Sequence, residues 1–153
     1  MPRLRPDPTF YPSPGLAMEA PAEGLGYVAL IDPSRQRPDA LGVLDLDPAS
    51  RSFGRQVGQV DMPTLGDELH HFGWNACSSH LCGFAPNPHV ERRYLIVPGL
   101  RSSRVYVLDT KDDPRRPRVV KEISAAELAA KADYSRPHTV HCGPDGILSL
   151  IHI

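Results

Sequence analysis

Two short runs concentrate the residues of this chain that could ligate a metal or act as nucleophiles. The first is Asp67-Glu68-Leu69-His70-His71-Phe72-Gly73-Trp74-Asn75-Ala76-Cys77-Ser78-Ser79, with two acids, two adjacent histidines, the only tryptophan and a cysteine. The second is His138-Thr139-Val140-His141-Cys142. Adjacent histidines in a strand point to opposite faces. In a loop or at a strand end both imidazoles can turn to one ion, with Cys77 six residues beyond His71. Taken singly, a His-His pair reads as a solvated loop and a lone cysteine as inert packing. Two His/Cys clusters in one small chain make a metal or thiol site the leading hypothesis.

Composition narrows the partners. The 153 residues suffice for one domain with a core, and 17 basic against 18 acidic residues leave a net charge of -1. That balance gives no reason to expect nucleic acid or an anionic membrane as partner. The basic cluster Arg115-Arg116-Pro117-Arg118 reads as a solvated turn. Three cysteines, an odd number, do not make a disulfide framework. Cys77 and Cys82 could pair, but reduced thiols in the cytoplasm are the simpler expectation. No signal peptide follows Met1 as written, and no apolar run reaches membrane-spanning length. A different true start would make the periplasm the alternative.

The elements that must position these residues read as strands. Seventeen prolines and twelve glycines, spread along the chain, punctuate it too often for long helices. Residues 1–26 read as an irregular leader, and 27–153 as strands. Strands are expected over Tyr27–Ile31, Leu41–Asp47, Arg55–Val60, Tyr94–Val97, Arg104–Asp109 and Arg118–Ile123. One helix is expected over Ser124–Lys131, where Ser124 and Glu127 have capping-box spacing. Val43-Leu44-Asp45 followed by Gly58-Gln59-Val60 is echoed by Val107-Leu108-Asp109 followed by Lys121-Glu122-Ile123. The expected class is therefore all-β, with repeated antiparallel units that suggest β-propeller blades. Two blades cannot bury their faces alone. The chain is expected to hold the first blades of a longer protein, with Gly146–Ile153 ending in mid-strand.

With these residues in view, the chain resembles the selenium-binding protein / methanethiol oxidase family. Met62-Pro63-Thr64-Leu65-Gly66, running on into the first cluster, is similar to the family signature. Ser13–Met18, Asp45–Pro48, Pro98–Val107 and His138–Cys142 are similar to other family segments. The resemblance spans Phe10 to Ile147 and the first third or so of the family's length. It implies a seven-bladed β-propeller and a copper-dependent enzyme. That enzyme oxidises methanethiol with O2 and water to formaldehyde, hydrogen sulfide and hydrogen peroxide. It also implies His70, His71, His138 and His141 as copper ligands and His70, His71 and Cys77 as the catalytic set. Asp67 and Glu68 would orient an imidazole or, equally, form an exposed acidic turn. Trp74 is expected to pack between strands rather than clamp substrate.

The chain departs from the family where Cys77-Ser78-Ser79-His80-Leu81-Cys82 replaces a Cys-Ser-Ser-Cys run, so a CxxC redox role is not supported. No cysteine lies near Phe53-Gly54-Arg55, where the family's selenium-associated cysteine is expected, which tilts the reading towards the oxidase. The rival readings are a non-catalytic selenium- or thiol-binding propeller or docking scaffold and, last, a structural zinc site of Cys77, Cys82 and histidines.

Overall fold

The computed structural model describes residues 10–11, 13–76, 89–142 and 148–152. Cys77 and Cys82 lie outside the described residues, so the spacing arguments built on them have no structural counterpart. Among the described residues nine strands form three antiparallel sheets, and there are two helices. β1 (Leu25–Leu30), β2 (Pro38–Asp45) and β3 (Gln56–Leu65) make the first, in the order β1-β2-β3. β4 (Gly73–Trp74), β5 (Tyr94–Gly99), β6 (Arg104–Asp109) and β7 (Arg118–Ile123) make the second, in the order β4-β5-β6-β7. β8 (Pro137–Cys142) and β9 (Leu148–His152) form a hairpin. The class is all-β, as the punctuation of the sequence implies. Among the described residues no helix is long and apolar enough to cross a membrane.

β6 and β7 have the expected bounds, whereas β3 runs on through Pro63 to Leu65. Proline donates no ladder bond, and β3 tolerates it because it is an edge strand. Pairing with β2 is also irregular there, jumping from Ala40↔Asp61 to Pro38↔Leu65. Within the stretch expected to be irregular, α1 (Pro14–Met18) forms a single turn capped by Ser13, whose Oγ accepts from Leu16 N at 3.2 Å. The expected helix is α2 (Ala125–Ala132). Glu127 N donates to Ser124 Oγ at 3.2 Å, and Lys131 and Glu127 pair one turn apart.

The sequence echo is a structural repeat. Asp45 and Asp109 end the middle strands β2 and β6, and both are buried. Each Oδ1 accepts the main-chain N–H two residues on, Asp47 N and Lys111 N, both at 3.0 Å. One residue earlier, each ladder slips past an extra residue, Val57 in the first sheet and Val120 in the second. The two sheets share one core: Leu41 and Met62 from the first pack with Leu95, Val97, Tyr106 and Leu108 from the second, and with Leu69 between them. Each sheet thus covers a face its neighbour could not bury alone, as successive propeller blades do.

Close backbone approach locks the sheets at one edge. A Cβ added to Gly58 would sit inside the van der Waals shell of the Arg115 carbonyl oxygen and 3.0 Å from its carbon. Tyr27 Oη donates to Pro114 O at 2.9 Å nearby. The 114–116 turn is therefore an inter-sheet contact as well as a solvated turn. Gly58→Ala should destabilise the fold by about 1–3 kcal/mol, because main chain rather than a side chain has to move. Urea unfolding of this variant at the parent midpoint would contradict that packing.

The repeat aspartates predict acid behaviour. Arg93 holds the Asp109 carboxyl down to about 2, donating from Nε at 2.7 Å and also from Nη2. The hydroxyls of Ser50 and Ser52, both at 2.6 Å, lower Asp45. A carboxyl held below its unfolded value of about 3.9 stabilises the fold fully above that pH and progressively less as pH falls through its folded value. Stability should therefore drop between about pH 4 and pH 2, and Asp109→Asn should flatten that slope. A parent-like slope in the variant would show that the decline comes from other groups.

Candidate metal centre

The loop between β3 and β4 is bent by two left-handed residues, Gly66 (φ 71°) and Glu68 (φ 59°). Glycine enters this region freely, but for glutamate it costs of order 1 kcal/mol or more, so surrounding contacts must hold it. They do so from both sheets. Leu69 is fully buried, its N–H donates to the buried Asp39 carboxylate at 3.1 Å, and it bridges to Gly99. Leu100 N donates to Glu68 O at 3.1 Å and Arg101 N to Asp67 O at 3.0 Å. The loop is thereby pinned between β2 and the β5–β6 turn.

Asp67 corrects the expectation of an imidazole partner or an exposed acid. It is fully buried, accepting from Tyr106 Oη at 2.9 Å and Thr64 Oγ1 at 2.8 Å. Tyr106 and Thr64 are themselves 2.8 Å apart, closing a triangle of hydroxyls and carboxylate beneath the loop. Burial, first of all, pushes the Tyr106 phenol well up.

Above this floor three imidazoles meet. His138 Nε2 lies 3.2 Å from His70 Nδ1, and their ring centroids are 4.9 Å apart. The His71 ring is edge-on to His138 at 4.7 Å and 6.4 Å from His70. His138 reaches this place from a bulge: β8 advances from Pro137 to Thr139 while β9 advances by one residue, from His152 to Ile151. Bulges re-aim side chains in this way. Burial, then His71 and His70, lower the His138 pKa, which favours the neutral ring that metals bind. His141 is exposed and has no part in these ring contacts. Cys142 belongs to β8.

The hydrogen bonds around the pair orient it. A carboxylate only accepts, so Glu68 Oε1, 3.3 Å from His70 Nε2, accepts a hydrogen bond from Nε2–H, and in that tautomer Nδ1 carries the lone pair. His138 Nδ1 lies 2.9 Å from Thr139 Oγ1, a hydroxyl that can donate or accept. If Thr139 donates, His138 Nε2–H bonds to His70 Nδ1. If Thr139 accepts, both facing nitrogens present lone pairs. Two nitrogens each about 2 Å from one ion at a near-tetrahedral angle would be roughly 3.3 Å apart. The 3.2 Å pair therefore suits a shared metal. No group of three or more His, Cys, Asp or Glu side chains closes a metal-binding set among the described residues. The arrangement is a pair of facing imidazole nitrogens with a third ring beside it.

Trp74 packs edge-on to Tyr27 at 5.9 Å, with the Arg92 guanidinium 5.2 Å from its ring. It also lines a cleft of about 590 Å³ with Tyr27, Phe72 and Leu95, and none of the described histidines lines that cleft. Asn75, assigned no role from the sequence, accepts from Arg93 N and Tyr94 N and donates to Glu91 O. It thus ties the end of β4 to the start of β5. Arg101, Thr139 and Asp39 were likewise missed, and no local spacing signals Asp39, which lies thirty residues before Leu69.

The chain matches the family described as 56kDa selenium binding protein (SBP56) over residues 4–152. It is 43% identical to selenium-binding protein 2 of Arabidopsis thaliana over 138 residues, covering 89% of this chain and 28% of that protein. It is 42% identical to a methanethiol oxidase of Danio rerio over 134 residues, covering 86% of this chain and 28% of that one. The X-ray structure of a hypothetical selenium-binding protein from Sulfolobus tokodaii aligns with a TM-score of 0.82 and 55% identity, over 91% of this chain and 31% of the other. The chain thus spans under a third of the length of these relatives.

Proposed function

The chain belongs to the 56kDa selenium binding protein family, and on that premise we propose that it serves a copper-dependent methanethiol oxidase. The observation that supports this most is the His70 Nδ1–His138 Nε2 pair at 3.2 Å with the His71 ring beside it. Imidazoles suit copper in either oxidation state, and a soft thiolate binds it readily. The ion would supply the electron path from methanethiol sulfur to O2. The overall reaction balances as methanethiol, O2 and water giving formaldehyde, hydrogen sulfide and hydrogen peroxide.

The chain's own contribution is to hold and orient. His70 and His138 would bind through the two facing nitrogens, and His71 would join by side-chain rotation. Glu68 accepts from His70 Nε2–H and so holds that proton on Nε2. Thr139 can accept from His138 Nδ1–H, the tautomer in which Nδ1 carries the proton and Nε2 the lone pair. His141 and Cys77 complete the proposed set. The buried triangle of Asp67, Tyr106 and Thr64 keeps the loop floor rigid.

The test is methanethiol-dependent oxygen uptake by the copper-loaded full-length gene product, with sulfide measured in parallel. Stoichiometric copper on a folded protein that takes up no oxygen would move the reading to selenium or thiol binding without turnover.

A further inference from the structure

We infer that Glu68 and Arg101 form a clamp that commits His70 to bind its metal through Nδ1; this rests on the metal-site reading above. Glu68 Oε1 faces His70 Nε2 at 3.3 Å, and Oε2 is ion-paired with Arg101. The same turn holds the main chain, since Leu100 N bonds to Glu68 O and Arg101 N to Asp67 O. Both ends of Glu68 are therefore referenced to one rigid β-turn.

The Glu68 and Arg101 side chains are 26% and 40% exposed, so their ion pair adds little to stability. Glu68 also sits at φ 59°, where glycine would be unstrained. Neither stability nor local conformation calls for glutamate here, whereas orientation of His70 does. A carboxylate on the outer nitrogen fixes the ring, makes the inner nitrogen a stronger ligand and offsets part of the ion's charge. Arg101 stops that carboxylate from swinging round to bind the ion itself. Both are positioning residues that act through His70.

Glu68→Gly separates side chain from backbone, because glycine keeps the left-handed turn. Glu68→Gln retains an oxygen that accepts from Nε2. The assays use the full-length gene product and Cu(I) or Zn(II) alone, with affinity from competition against a chromophoric chelator and the bound nitrogen from 15N histidine spectra. We expect Nδ1 coordination of His70 in the parent, about 10–100-fold weaker binding in Glu68→Gly and Arg101→Met, and partial recovery in Glu68→Gln. Thermal midpoints should stay close to the parent's. Coordination through Nε2 would overturn the clamp, as would parent-like affinity in Glu68→Gly when His70→Ala has lost the metal; either leaves the copper reading standing. Nδ1 coordination with the expected losses but no oxygen uptake would uphold the clamp and sink the oxidase. A parent that binds neither metal would sink both.

Discussion

Replacing His70 and His71 together with alanine is expected to abolish methanethiol-dependent oxygen uptake and weaken copper binding more than about 100-fold, or roughly 2.8 kcal/mol at about 1.4 kcal/mol per decade. The variant removes one member of the 3.2 Å pair and the ring beside it. The fold should survive. The loop is anchored by Leu69, by Asp67 and by main-chain bonds to the 99–101 turn, none of which involves an imidazole. His138→Ala should be as damaging as His70→Ala, since each supplies one of the facing nitrogens. His141→Ala should do less, because the ring contacts of the site join His70, His71 and His138 and do not include His141. Equal losses at His141 and His138 would mean that the site is built on the sequence motif rather than on the pair seen here. Undiminished uptake in the double variant would place the copper elsewhere.

The largest stability effect is expected at Asp67. Asp67→Ala leaves Tyr106, which is fully buried, with only Thr64 as hydroxyl partner and opens a void under the loop. Both hydroxyls donate to Asp67, so without it one can bond the other but one proton loses its acceptor. That loss costs about 1–3 kcal/mol, and with the lost packing we expect about 2–4 kcal/mol overall. Asp67→Asn should cost less, because its carbonyl oxygen still accepts from Tyr106. Tyr106→Phe combined with Asp67→Ala should cost less than the sum of the two, since they share one hydrogen bond. Chemical denaturation of the four variants beside the parent measures this directly. A cost for Asp67→Ala within about 0.5 kcal/mol of zero would show that the triangle contributes nothing to the fold. Metal affinity should fall along with stability, because the main chain of Asp67 and Glu68 carries His70.

Much of the architecture was legible along the chain. Alternation and turn residues located β6 and β7 to the residue, because short strands bounded by Gly, Pro and Asp leave few other conformations. Ser124 and Glu127 marked the start of α2, since capping is decided within one turn. The Leu-Asp echo marked a true repeat, because buried Asp45 and Asp109 each close the same turn with the same main-chain bond. Where local signals competed, the reading fell short. The strand expected to end at Val60 runs on through Pro63 to Leu65, because β3 is an edge strand and no ladder bond from Pro63 is needed.

The ligand candidates, too, were set by residue type and spacing: two histidine clusters, one following a left-handed loop. Which of them meet was decided only by tertiary structure. A bulge aims His138 across to His70, while His141, three residues further along the same strand, takes no part in the ring contacts. Asp67 and Glu68 are neighbours of the same charge, yet one is buried under Tyr106 and the other is held by Arg101 against an imidazole. Sequence adjacency cannot separate them, because the sign of φ at Glu68 and the packing of two sheets around Leu69 send the two side chains to different partners.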